Sequence, residues 1–337
     1  MTAASNRVAL LALLAACTPP KSDGDTTGPG ADDTAGAGDR DCSPPDAEPV
    51  PTAEGHPTDG WRWQRRGPLF DDGTLFAGGT PAYGDGALSP TLVDTGDGLH
   101  LLWMQQEATS STLWASRSAD GSSWSPPEPV TGLDGESYPS LVHDGERFQL
   151  WVGSGSVAHA TSDDGVAFTP GETVLRPGDA AFDTVSLLYP HAARTDAGIE
   201  LWYTGFDGAR FAVGQAACDA TATACTGAGP DLERDPEGWD NTAVAMPEVV
   251  HHGGDVHTWY GGYDTVIANP GPWRVGWLGP DGQRLLSLPL TDSGTEAFST
   301  RDPAVVPWGD GWLMVYVGMG DDGIYRLASA TSDVCPD

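Results

Sequence analysis

Five segments of this sequence align on a proline, and that spacing constrains the fold more than any other feature. The prolines are Pro90, Pro139, Pro190, Pro247 and Pro303, separated by 49, 51, 57 and 56 residues. The copies read "SPTLVDTGDGLHLLWMQQ", "YPSLVHDGERFQLWVGS", "YPHAARTDAGIELWYTG", "MPEVVHHGGDVHTWYGG" and "DPAVVPWGDGWLMVYVG". Each is a short apolar strand, a Gly/Asp turn and a second strand rich in Leu, Trp, Tyr and Val. Three copies run on into "LWASRSADGSSW", "VAHATSDDGVAF" and "YRLASATSD". A fourth strand follows in "SPPEPV" and "TPGETVL". Repeats of about 50 residues with four strands each imply an all-β fold, a single five-bladed β-propeller over 61–337. The 45 Gly and 28 Pro suit such a turn-rich chain.

The last repeat stops one strand short. Residues 61–70, "WRWQRRGPLF", match the fourth-strand position and are expected beside Tyr325–Ala330, closing the ring with no open edge.

Register also assigns the histidines of "MPEVVHHGGDVHTWYGG". His251 and His252 fall at a hairpin turn, and His257 at a mostly polar position of the second strand. A metal site is not expected, since the cluster is one copy of a repeat. No phosphate loop, G-x-S-x-G elbow or HExxH motif is present, and no cofactor is expected.

The first 17 residues, "MTAASNRVALLALLAAC", read as a signal peptide: Arg7, then an apolar run too short to span a bilayer. "LAAC" resembles a bacterial lipobox, which implies acylation of Cys17. Thr18 in place of Asp then favours the outer membrane or cell surface. Residues 18–60 lack bulky apolar side chains and read as a disordered acidic linker. Cys42, Cys218, Cys225 and Cys335 read as two disulfides, with three pairings open. The closeness of Cys218 and Cys225 favours a local loop, leaving Cys42 with Cys335. The formal charge of −32 repels nucleic acid and anionic lipid, so membrane contact is expected through the anchor only. A monomer is expected.

Taken together, the aligned prolines, "hWY-x-G" and "A-x-S-x-D-G-x-x-W/F" resemble the furanosidase propellers: arabinanases, levansucrases and invertases. The resemblance implies chemistry in a central funnel. Of the residues before the prolines (Ser89, Tyr138, Tyr189, Met246, Asp302), only Asp302, in "RDP" with Arg301, matches a family motif, and it does so out of order. Strand alternation about the prolines adds Glu248 and His191 to the same face. Asp302 is therefore the candidate base or nucleophile and Glu248 the candidate acid, both expected to face one central cavity. Candidate substrate contacts are His191, Tyr138, Tyr189 and Arg301; Asp183 and Asp240, seven residues before their prolines like Glu296, read first as loop caps and second as ligand contacts. The implied function is a surface glycoside hydrolase or a carbohydrate binder that has lost the chemistry, with a neutral glycan in the funnel. The alternative is a non-catalytic protein-interaction scaffold.

Overall fold

The computed structural model describes residues 60–76, 79–107, 110–133, 137–178, 180–195, 198–219, 223–264 and 272–333. Cys17, the 18–59 part of the expected linker, Cys42 and Cys335 lie outside the described residues. The described chain is almost entirely β. It opens with β1 (Gln64–Pro68) and one turn of helix, α1 (Asp72–Leu75). Then come β2 (Gly86–Asp94), β3 (Leu99–Glu107), β4 (Ser110–Ser118) and β5 (Glu128–Pro129). A four-stranded sheet follows, of β6 (Pro139–His143), β7 (Phe148–Gly153), β8 (Val157–Ser162) and β9 (Thr169–Leu175). The next holds β10 (Ser186–Thr195), β11 (Gly198–Phe206), β12 (Phe211–Cys218) and β13 (Cys225–Leu232). Another holds β14 (Ala243–His252), β15 (Asp255–Tyr263), β16 (Arg274–Leu278) and β17 (Arg284–Leu288). The chain finishes with β18 (Ser299–Trp308), β19 (Gly311–Met319) and β20 (Tyr325–Ser332).

Within each group the strands pair antiparallel in sequence order. β1 pairs antiparallel with β20, Gln64 opposite Thr331 and Pro68 opposite Ala328. A single parallel pair, Gly86 with Tyr325, joins β2 to β20. The inner strands β2, β6, β10, β14 and β18 pack on one another in sequence order, and β18 also packs on β2.

The core lies between neighbouring sheets. Trp103, Trp151, Trp259 and Trp312, all on second strands, are fully buried. Each removes about 150–250 Å² from water. Trp61 joins this core just before β1. It is 3% exposed and packs on Trp259, Trp277 and Trp312 at ring distances of 5.3, 6.0 and 5.2 Å. Its carbonyl accepts a 2.5 Å hydrogen bond from Ser332 Oγ. The Arg65 guanidinium reaches Glu296 and the Pro289 carbonyl. Cys218 and Cys225 form a disulfide across β12 and β13.

The "S-x-D-G" endings form turns. Asp120 accepts from the backbone N–H groups of Ser122 and Ser123 at 2.8 and 2.7 Å. Asp164 does the same for Val166 and Ala167 at 2.9 and 2.8 Å.

The prolines mark a backbone irregularity that alternation alone does not predict. The preceding residues all have positive φ: Ser89 50°, Tyr138 52°, Tyr189 46°, Met246 61° and Asp302 50°. Pairing shifts register at the same point in β2, β10, β14 and β18. Proline donates no N–H, so the ladder breaks there and the strand bulges. Left-handed backbone costs a non-glycine residue about 1–2 kcal/mol. The molecule adopts it before each of the five aligned prolines.

Candidate ligand-binding site

The bulged residues converge on an axial cavity. It is lined by Ser89, Thr91, Tyr138, Ser140, Tyr189, His191, Met246, Glu248 and Asp302, with the five prolines between them. Its volume is ≈ 30 Å³. One water needs about 10–15 Å³, so the cavity has room for about two. Small-molecule pockets run to about 300–1,000 Å³.

The polar lining residues fasten adjacent inner strands. Thr91 Oγ1 accepts from Leu141 N at 2.9 Å, and Ser140 Oγ from Ala192 N at 2.8 Å. His191 Nε2 donates to the Val249 carbonyl at 2.9 Å. Glu248 Oε1 accepts from Val305 N at 2.9 Å, and Asp302 Oδ2 from Ser89 N at 2.9 Å. Each bond runs from one inner strand to the next.

The remaining carboxylate oxygens are also taken. Glu248 Oε2 lies 2.9 Å from His191 Nδ1. Asp302 Oδ1 accepts from Arg301 Nε at 3.0 Å, and Arg301 Nη2 donates to Tyr189 Oη at 2.8 Å. The Arg301 guanidinium lies 5.5 Å from the Trp273 ring centre and 5.8 Å from that of Tyr325. Burial works against the Arg301 charge, but the Asp302 carboxylate outweighs it and raises its pKa further. Burial likewise depresses His191, yet Glu248 and the Val249 carbonyl hold its pKa above the ordinary value. Burial raises Tyr138 and Tyr189, so both phenols stay neutral. A two-carboxylate glycosidase needs one group free to give a proton and one free to attack or activate water. Here both oxygens of Glu248 and of Asp302 already accept a hydrogen bond from the fold.

Asp183 and Asp240 occupy a different place. They do not line the cavity; both are 0% exposed, beneath the loops leading into β10 and β14. Tyr203 Oη donates to Asp183 Oδ2 at 2.8 Å, and Tyr260 Oη to Asp240 Oδ2 at 2.9 Å. Glu296 repeats the arrangement, accepting from Tyr316 Oη at 2.8 Å. Burial raises the Asp240 pKa, against the pull of Arg284, which pairs with it at 3.1 Å. The glycine two residues after each tyrosine completes the clasp. A Cβ on Gly205, Gly262 or Gly318 would come within 2.8–2.9 Å of Asp183 Cβ, Asp240 Cβ or Glu296 Cγ respectively. The "Y-x-G" of the repeat is thus a loop clasp. Its signal was present in the sequence as an acid 20 residues before the tyrosine in three copies.

The three histidines of the 246–264 stretch serve separate contacts. His251 Nε2 lies 3.0 Å from Glu200 Oε2, His252 packs edge-on to Trp312, and His257 stacks on Trp277. Among the described residues no cluster of His, Cys, Asp and Glu has the makings of a metal site.

No family model matches the chain, and no curated protein does. Solved structures do. One described as "Glycoside hydrolase" superposes with TM-score 0.61 at 12% identity, over 81% of this chain and 92% of its own. A thermostable family-43 glycoside hydrolase gives 0.54 at 15%, over 75% and 90%. The catalytic domain of the Coprinopsis cinerea GH62 alpha-L-arabinofuranosidase gives 0.56 at 12%, over 80% and 96%. At these identities the likeness is one of architecture: the chain is similar in fold to the propeller-type glycoside hydrolases.

Proposed function

We propose that this chain is an exported five-bladed propeller, closed by β1, that binds a glycan at the mouth of its axial channel without hydrolysing it. In this reading Cys17 carries the lipid anchor at the outer membrane or cell surface. The observation that carries the proposal is the commitment of Glu248 and Asp302 to inter-strand bonds around a cavity of ≈ 30 Å³. A sugar has no room between them, and neither has an oxygen left unengaged. Around the cavity stand part-buried aromatic rings, Tyr138, Trp273 and Tyr325, suited to the apolar face of a sugar. Asp302 and Glu248 are then structural, and Tyr138, Tyr189 and Arg301 shape the floor. The large apolar side chains exposed among the described residues are Tyr83, Val185 and Val256, on separate segments. They form no patch that would argue for a protein partner.

The test is to incubate the purified protein with a panel of plant and microbial oligosaccharides, measuring binding by calorimetry and cleavage by release of reducing ends. Binding without cleavage is expected. Turnover that disappears in Glu248→Gln or Asp302→Asn, with folding intact, would restore the hydrolase assignment. The anchor is tested separately: Cys17→Ser should move the protein from the membrane to the soluble fraction.

A further inference from the structure

The roomy space lies beside the channel rather than in it. An open cleft of ≈ 500 Å³ is lined by Arg210, Arg234, Pro236, Asn241 and Thr242. It sits between the β11–β12 turn and the loop leading into β14. Phe211, next to Arg210, packs with Tyr189 and Met246, which line the axial cavity. The cleft therefore adjoins the channel mouth.

Its chemistry is unlike the rest of the molecule. The chain has 16 basic residues against 48 acidic ones, yet two arginines line this one cleft. Among the described residues neither is in a salt bridge. Asp207 shares the turn with Arg210, but its carboxylate accepts from the backbone N–H groups of Ala209 and Arg210, each at 2.8 Å. Arg234 is braced, its Nη1 donating to the Asn241 carbonyl at 2.7 Å. A guanidinium has five N–H donors, so most of that fork remains for a ligand. The Asn241 side-chain carbonyl accepts from Thr242 Oγ1 at 2.9 Å, which orients the amide. Pro236 supplies an apolar surface.

We infer that this cleft binds a carboxylated sugar unit, a uronate, and that it sets the specificity of the proposed glycan site on which this inference rests. Each guanidinium matches a carboxylate in charge and in planar geometry. The amide and hydroxyl suit sugar hydroxyls, and the proline suits a C–H face. The volume takes one or two residues of a chain. The net charge of −32 does not exclude an anionic ligand. At physiological salt, charges beyond about 8 Å are largely screened, so a ligand in the cleft meets the two guanidiniums and the Asp207 carboxylate beside Arg210 rather than the net charge. This proposal departs from the neutral-glycan expectation, which rested on the Tyr, Trp and carboxylate residues of the funnel.

The test titrates the full-length protein with trigalacturonic acid and with galactotriose, by calorimetry at pH 7. The uronide is expected to bind at least tenfold more tightly. Arg210→Gln and Arg234→Gln should each reduce uronide affinity several-fold, and the double variant should abolish the preference. Arg210 is exposed, so its variant tests the idea without disturbing the fold; unfolding temperature checks Arg234→Gln. Equal affinity for the two trisaccharides, or a preference retained by the double variant, overturns this inference and leaves the glycan reading standing. Failure of both sugars to bind overturns this inference, and the glycan reading falls with it only when the wider oligosaccharide panel also fails to bind.

Discussion

His191 and Glu248, on consecutive inner strands, are joined through Nδ1 and Oε2 at 2.9 Å, while His191 Nε2 faces the Val249 carbonyl. Both ring nitrogens face oxygen atoms, an arrangement that favours the doubly protonated imidazolium. Folding raises the His191 pKa above the ordinary 6.5. Its stabilisation is therefore fully present below pH 6.5 and is lost as pH rises through the folded-state value. Denaturant midpoints measured from pH 6 upward should fall in the wild type and less so in His191→Gln. Parallel profiles would show that the pair is not the cause. His191→Ala should cost about 3–5 kcal/mol, because it leaves Glu248 buried without its counter-charge.

His100 titrates in the opposite sense. Burial holds it neutral, with a pKa lowered to about 4, and it faces the Gly165 carbonyl. The unfolded chain takes up that proton near pH 6.5, so stability should be lost as pH falls from there toward about 4. His100→Leu should flatten this acid limb while leaving the limb above pH 6.5 unchanged. If the acid limb persists, other groups set it.

Asp302→Asn is expected to act on folding rather than on chemistry. It weakens the partner of Arg301, which is 3% exposed, and the link to Ser89 N. Breaking such a buried pair costs about 3–5 kcal/mol. Urea unfolding of the variant reads this directly. An unchanged midpoint would contradict the structural role.

The loop clasps predict a matched series. Tyr203→Phe, Tyr260→Phe and Tyr316→Phe each remove one hydroxyl from a buried carboxylate while keeping the ring. Each should cost about 1.5–3 kcal/mol, the range for hydrogen bonds to charged groups. The three losses should be similar, since the geometry repeats. A null effect at all three would mean that water replaces the hydroxyl.

Much of the architecture was legible because it is periodic. Five prolines at intervals near 50 residues set the strand groups, and the missing last strand pointed to residues 61–70. The structure pairs Gln64–Pro68 with β20. Which residues meet at the axis was also legible: Tyr138, Tyr189, His191, Glu248 and Asp302 line one cavity. What they do there was not. Their partners are backbone groups of the neighbouring inner strand, such as Val305 N for Glu248 and Ser89 N for Asp302, 57 and 213 residues away. No spacing rule within one repeat reports such bonds. Asp183 and Asp240 sit as loop caps, the first of the two roles their pattern suggests, and not at the cavity. A recurrent acid in a loop leaves both roles open until the tyrosine opposite is located. Arg210 lies in the β11–β12 turn and Arg234 in the loop before β14, and the repeat pattern does not say that the two line one cleft.

The way β1 joins β20 has a mechanical consequence. The chain ahead of Trp61 reaches the domain at the Thr331 end of β20 and runs toward the Ala328 end. A pull on that leading segment is directed along β1. Its ladder bonds are then loaded side by side, in shear, and must fail together instead of opening in turn like a zip. Before they are loaded, Trp61 has to be drawn from its seat among Trp259, Trp277 and Trp312. The joint at the start of the described domain is built as a plugged shear clamp.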